Sequence, residues 1–260
     1  MPPGSSLSDE VVPFPLPAEE NPYPELSASV RWEDMGKGRR GAVLTRIDEA
    51  GAVPLVRTTS RYESPAQRFR AVHESLARRI QERAALPDGF NNALIENYTH
   101  AYRTMGAHSD QALDLADGSA IAVFSCYQHP EAGPSRKLVF ESKEPGGERF
   151  EIPLAHHGVV VFSVDVNRRL RHKIVWDAPG GAAHAPADNP WLGVTFRTSK
   201  TLVRFRDGQA LLPGGERLVP ADDEQRIAFY RMRRRENGET DFGYPPLTYT
   251  VSESDLMPPV

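Results

Sequence analysis

The sequence predicts a mainly β protein, a sandwich or jelly roll, and two observations carry that prediction. Runs of strand length recur through the middle of the chain, some continuously apolar and some alternating, with Gly, Pro, Asn and Asp signals between them. Helical periodicity is confined to one segment on each side of that array. With 260 residues, 39% hydrophobic and 25% charged, and a net charge of −4, the chain can bury one sizeable core and still carry decoration.

Residues 1–28 hold Pro2, Pro3, Pro13, Pro15, Pro17, Pro22 and Pro24 and are expected to run extended until docked. Val30 to Asp34 and Arg40 to Ile47 read as a hairpin, and Val53 to Thr58 as a further strand. Ser64-Pro65 reads as a helix start, with a serine cap, a proline in the first turn and Phe69, Val72, Leu76 and Ile80 on one face. That helix is expected to support the sheet from outside, with His73 on its flank. Strands are expected at 92–98, 120–127, 137–141, 149–154, 159–164, 172–176 and 192–197, with a turn at His157-Gly158. The Gly-, Ala- and Pro-rich stretch Asp177 to Pro190 reads equally as a lid or as a surface insertion. Asp222 to Asn237 reads as a helix dense in arginine, and Tyr244 to Val251 as a terminal strand or an edge cover. The chain divides on this reading into an extended segment (1–28), a catalytic domain with its hairpin and support helix (29–210) and a C-terminal extension packed on it (211–260).

Within this array, His108-Ser109-Asp110 is followed well downstream by His172. Two imidazoles and one carboxylate can occupy one face of an octahedral metal and leave three positions open, the arrangement of non-heme Fe(II) oxygenases. In a jelly roll, ligands from early and late strands meet at one mouth. His108, Asp110 and His172 are therefore the candidate metal ligands and the candidate catalytic set.

The surroundings strengthen this. Phe90-Asn91, Leu94 and Tyr98 precede the His-x-Asp by one loop; Leu154, His157-Gly158 and the apolar run from Val159 follow it; Arg171-His172 and Thr195-Phe196-Arg197 close the series. In that order, residues 90–198 resemble the AlkB-like branch of the Fe(II)- and 2-oxoglutarate-dependent dioxygenases. The resemblance implies a double-stranded β-helix (jelly-roll or cupin-like) core with a supporting N-terminal helix, and Fe(II), 2-oxoglutarate and O2 as cofactor and cosubstrates. It also implies that Arg197, with Ser199 beside it and Lys200 as a fallback, clamps the distal carboxylate of 2-oxoglutarate, and that Tyr98 donates its hydroxyl to the same molecule. A bidentate guanidinium is the natural partner for such a carboxylate. Three positions depart from the family pattern: Trp191 and Gly193 replace an Arg and an Asn, and Glu96 replaces an Asn. Asp110 fills the position that is Gly or Ala in the related halogenases, so the implied outcome is hydroxylation.

The expected reaction is hydroxylation of a C–H bond in a small molecule, nucleotide-like or amino-acid-like, with release of succinate and CO2. Tyr127, Arg136 and Trp176 are candidates for its pocket. An AlkB-type dealkylase of N-methylated nucleic-acid bases is the alternative, and a catalytically silent binding module of the same fold is the second. Nucleic acid is not the favoured partner, because a pI near 6.1 lacks the basic signature that phosphate neutralisation requires. The arginines at 168, 169, 171 and 231–235 decide this point by where they lie. One cysteine, Cys126, excludes an internal disulfide, and no basic-apolar signal pattern or membrane span is visible, so a cytoplasmic location without membrane association is expected.

Overall fold

The computed structural model describes residues 6–177 and 189–260. Its strands are β1 (Val12–Pro15), β2 (Glu33–Gly36), β3 (Arg39–Thr45), β4 (Val53–Leu55), β5 (Gln67–Arg68), β6 (Asn92–Tyr98), β7 (Ala120–Tyr127), β8 (Arg136–Ser142), β9 (Arg149–Pro153), β10 (Gly158–Ser163), β11 (Leu170–Trp176), β12 (Trp191–Arg197), β13 (Thr201–Arg206), β14 (Gln209–Leu211), β15 (Val219–Pro220) and β16 (Tyr249–Thr250). The helices are α1 (Tyr23–Ala28), α2 (Ala71–Arg83), α3 (Val164–Arg169) and α4 (Asp223–Gly238).

A large sheet runs β1-β10-β7-β12-β6-β3-β2, and a smaller one runs β11-β8-β9. Between β6 and β12 the chain passes from one sheet to the other and back: β6 and β7 lie in the large sheet, β8 and β9 in the small, β10 in the large, β11 in the small and β12 in the large. Residues 104 and 108 bridge Val175 and His172, so the His-x-Asp segment extends the small sheet along the free edge of β11. This is the expected jelly roll. The central strands read as unbroken apolar runs because both of their faces are buried. Ile121, Val123 and Tyr127 face the interior with Leu138, Phe140 and Phe162, whereas Ala122, Phe124 and Cys126 face outward against Leu76, Ala77 and Ile80 of α2.

Several expectations change in detail. The support helix begins at Ala71, not at Ser64-Pro65, because the backbone before it is taken up in pairing: β5 lies parallel to β3, Phe69 N–H donates to the Thr45 carbonyl and Arg68 N–H to the Val260 carbonyl. His73 is fully buried rather than on a flank. Its Nδ1 accepts from Arg70 N–H at 3.0 Å, which leaves Nε2 as the donor to Ser29 Oγ at 2.7 Å. The proline-rich opening is extended only in part. Val12–Pro15 forms an edge strand on β10, a position where a missing N–H is tolerated, and Tyr23–Ala28 is helical. Of the Asp177 to Pro190 stretch, residues 178–188 lie outside the described residues. Helix α4 starts on a capping box between Asp222 and Gln225. Arg57 anchors the C-terminal region by pairing with buried Asp114 at 2.8 Å and donating to the carbonyls of Leu247 and Tyr249. Among the described residues no helix is long and apolar enough to cross a membrane.

Candidate active site

His108 and His172 are held opposite one another by two backbone hydrogen bonds, His108 N–H to the His172 carbonyl at 2.9 Å and the reverse at 2.6 Å. This antiparallel bridge places both rings on one side of the small sheet, with centroids 4.7 Å apart. Asp110 Oδ1 lies 3.9 Å from His108 Nε2 and 3.6 Å from His172 Nε2. One donor atom from each of the three residues falls within 4.8 Å of the others, so a single ion fits among them.

The protonation states suit that use. His108 Nδ1 lies 2.9 Å from the Gly106 carbonyl, which only accepts, so Nδ1 carries the hydrogen and Nε2 presents its lone pair toward Asp110. Burial pushes His172 down to about 3, with His108 adding to the shift and Asp110 opposing it. His108 is lowered for the same reason, again against the pull of Asp110. For Asp110 burial alone raises the pKa, but the Arg197 guanidinium, by its charge and its hydrogen bond, outweighs this and holds the carboxyl well below the usual carboxylate range. Two neutral imidazoles and an ionised carboxylate form the donor set that a divalent metal requires.

The segment that carries two of these ligands has little freedom. Asn167 grips Asp110 from both sides, its Oδ1 accepting from Asp110 N–H and its Nδ2 donating to the Asp110 carbonyl, each at 2.7 Å. Helix α4 supplies the rest. Asn237 Oδ1 accepts from Ser109 N–H at 3.0 Å, Arg233 donates to the Ser109 carbonyl, and Glu236 accepts from Ala112 N–H at 2.7 Å. Glu236 is fixed in turn by Arg233 and by the Tyr244 hydroxyl. The C-terminal extension is thus part of the site, a contribution that no local motif announces.

The triad opens into a cavity of about 700 Å³ between the two sheets, walled by α4 and by residues near 37–39, 56–60 and 102–107. Lys37, Arg39, Arg197, Arg233 and Arg234 line it against the carboxylates of Glu96 and Asp110, so the wall carries a cationic excess. Gln111 also lines it, buried, with neither amide atom partnered among the described residues. Arg197 lies at the metal end, where Nε donates to Asp110 Oδ2 at 2.7 Å.

The other expected residues are placed differently. Ser199 does not line the cavity: its one hydroxyl hydrogen is shared between the carbonyls of Leu55 in β4 and Thr201, and its oxygen accepts from Thr201 N–H, which ties the turn into β13 to β4. Lys200 pairs with Asp117 on the surface. The Tyr98 hydroxyl donates to Glu96 Oε2 at 2.8 Å, and its ring is fully buried outside the cavity lining. Tyr127 is buried with its hydroxyl on the Leu154 carbonyl. Arg136 is enclosed between the rings of Tyr98 and Trp176, donates to the Thr99 carbonyl and is pushed down to about 10 by burial. Tyr127, Arg136 and Trp176 do not line the cavity. They sit at the far end of the strands, where the inward-facing row closes as a stack of large side chains.

No family model matches the chain, and no curated protein does. The fold is similar to solved structures at low identity. OsALKBH1 is 16% identical, with 64% of this chain and 83% of that chain covered at a TM-score of 0.43. A Pseudomonas putida prolyl-4-hydroxylase is 13% identical, with 74% and 96% covered at a TM-score of 0.42.

Proposed function

We propose that the chain is a mononuclear non-heme iron oxygenase that uses 2-oxoglutarate to hydroxylate a C–H bond of a small molecule. The convergence of His108, Asp110 and His172 on one point of the cavity wall carries this reading. The bound metal, with dioxygen and 2-oxoglutarate, supplies the oxidising power: one oxygen atom enters the C–H bond, the other enters succinate, and CO2 leaves. The protein's part is to place and protect. Arg197 keeps Asp110 ionised and puts a cation beside the metal end, the inward face of the large sheet supplies the floor, and α4 walls the space above the ligands. Gln111, buried beside Asp110, offers a donor and an acceptor to whatever lies at the reacting carbon, and the cationic wall favours an anionic substrate.

The position of the arginines favours a small molecule over a nucleic acid. Arg168 pairs with Asp117 and Asp165, Arg169 with Glu10, and Arg171 faces Glu141; none of them lines the cavity. Of the 231–235 run, only Arg233 and Arg234 reach it, and Arg233 is paired with Glu236. A continuous phosphate-binding stripe is thus not assembled at the mouth. The intact triad speaks against a silent binding module.

The test is a screen for succinate release with Fe(II) and 2-oxoglutarate over metabolites, nucleotides and methylated oligonucleotides. His108→Ala and Asp110→Ala should abolish turnover of any substrate found. Retained turnover refutes the ligand assignment; formaldehyde release from oligonucleotides alone replaces the small-molecule reading with the dealkylase.

A further inference from the structure

2-Oxoglutarate carries two carboxylates, and a cation at each end is the economical way to hold such a dianion in a partly dry cavity. Arg197 answers for one end only, because its Nε is engaged with Asp110, a metal ligand. Ser199, its expected helper, is turned toward the Leu55 carbonyl. The remote carboxylate therefore needs a second cation, and β12 offers none at its other end, where Trp191 stands.

Trp191, Gly193 and Glu96, the three departures from the family pattern, are physically connected. The indole of Trp191 lies over Gly193, where an added Cβ would come within 2.0 Å of the ring. Trp191 packs on Tyr98 with centroids 4.9 Å apart, the Tyr98 hydroxyl donates to Glu96, and Glu96 accepts from Arg39 Nε at 2.7 Å and Nη2 at 2.6 Å. The relay ends on a guanidinium that lines the cavity. In register, Arg39 pairs with Tyr98 and Tyr98 with Trp191, whereas Arg197 pairs with Asn92 at the opposite end of the same strands. Roughly 20 Å of strand separates these two rows, so the two arginines enter the wall of the cavity they both line from opposite ends.

We propose that Arg39, tethered by Glu96, receives the carboxylate of 2-oxoglutarate remote from the metal, the role that the sequence pattern alone assigns to Arg197. This rests on the function proposed above. Glu96 takes two of the five guanidinium N–H groups, and the Tyr62 and Tyr102 hydroxyls lie beside the others, neutral partners that a carboxylate displaces. Arg136, the other buried guanidinium nearby, is shut off by Tyr98 and Trp176 and does not line the cavity. Lys37 sits exposed at the rim.

The test is calorimetric titration of the full chain, loaded with Mn(II) and kept free of dioxygen, with 2-oxoglutarate and with 2-oxobutyrate, which lacks the remote carboxylate. The unaltered protein should prefer the dicarboxylate. Arg39→Gln should weaken 2-oxoglutarate roughly 10- to 100-fold, the loss of one charge-assisted contact, and leave 2-oxobutyrate unchanged. Because that variant also frees the Glu96 carboxylate, the double variant Arg39→Gln/Glu96→Gln decides the matter: it should remain as weak as the single one. Recovery in the double variant, equal loss for both ligands, or the same loss in Lys37→Gln in place of Arg39→Gln overturns the assignment. Wild-type-like binding by Arg39→Gln overturns the role of Arg39 alone. Failure of the unaltered protein to bind 2-oxoglutarate removes the oxygenase reading together with it.

Discussion

The two ends of the cavity are held by opposite means. At the metal end, the backbone of residues 108–112 is fixed: His172 takes both peptide groups of His108, Asn167 both groups of Asp110, and α4 the groups of Ser109 and Ala112. At the other end the strand ladder holds the backbone, and the charged group is reached through a relay of side chains from Trp191 through Tyr98 and Glu96 to Arg39. Metal ligation would tolerate errors of only a few tenths of an ångström, and two of the three candidate ligands stand on this fixed segment with the third in β11 beside it. A carboxylate is met adequately by a flexible guanidinium with spare donors. Rigidity is placed where geometry is demanding, and adaptability where charge suffices.

The largest effect that separates the two ends is loss of a ligand. His172→Ala should remove Mn(II) or Fe(II) binding from calorimetric detection while the fold persists, since the bridge to His108 is made by backbone atoms that alanine keeps. Tight metal binding by that variant breaks the comparison at its root. Asn167→Ala should come next. It leaves the N–H and carbonyl of a buried aspartate unpaired, so metal affinity should fall roughly 10- to 100-fold, the scale of losing a group that orients a ligand, and stability by about 1–3 kcal/mol. Unchanged metal affinity in Asn167→Ala would show that the ligand loop holds its shape unaided. At the opposite end, Gly193→Ala forces a methyl into the Trp191 indole. Overpacking of this kind costs about 1–3 kcal/mol. Metal binding should be preserved and 2-oxoglutarate affinity reduced; a loss of metal binding there would mean that the two ends are not independent.

The same contrast explains what could be read in advance. His108 and Asp110 are two residues apart, His172 sits in an alternating strand, and the large-sheet strands between Asn92 and Arg197 announce themselves through burial on both faces. Those features are local, and they stood within a residue or two of where they were placed. Arg39 lies far from the triad in sequence and becomes relevant only through its register with Tyr98. Asn237, Glu236 and Arg233 reach back across more than a hundred residues, on a helix that reads like any solvated arginine-rich helix. Tyr127 and Arg136 show the converse error: polar groups on large side chains looked like pocket residues, but interior packing had a prior claim on them. Ser199 followed its neighbour Arg197 in sequence and not in direction, because the chain turns into β13 there. Tertiary assembly, which spacing does not encode, accounts for each of these differences.

The smallest expected effect is one of near constancy, and it tests the metal end most finely. An unfolded histidine titrates near 6.5, whereas burial holds His172 down to about 3 in the fold. The unfolded chain therefore binds a proton that the folded chain refuses. The stability contributed by this group is fully present above 6.5 and is lost as pH falls through the window toward 3. Between about pH 7 and about pH 5.5 the loss is on the order of 1 kcal/mol, and His73, lowered to about 4 on the buried face of α2, acts in the same direction. The unfolding midpoint of the metal-free protein should fall accordingly. Metal affinity should not. With the His172 nitrogen already free of its proton in the fold, acid does not compete with the metal there across that interval, whereas an ordinary imidazole would cost about tenfold for each pH unit below its pKa. Mn(II) titrations at the two pH values separate the cases: a tenfold drop in affinity at the lower value would show that the ring is accessible to protons and that the metal end is looser than its hydrogen bonds imply.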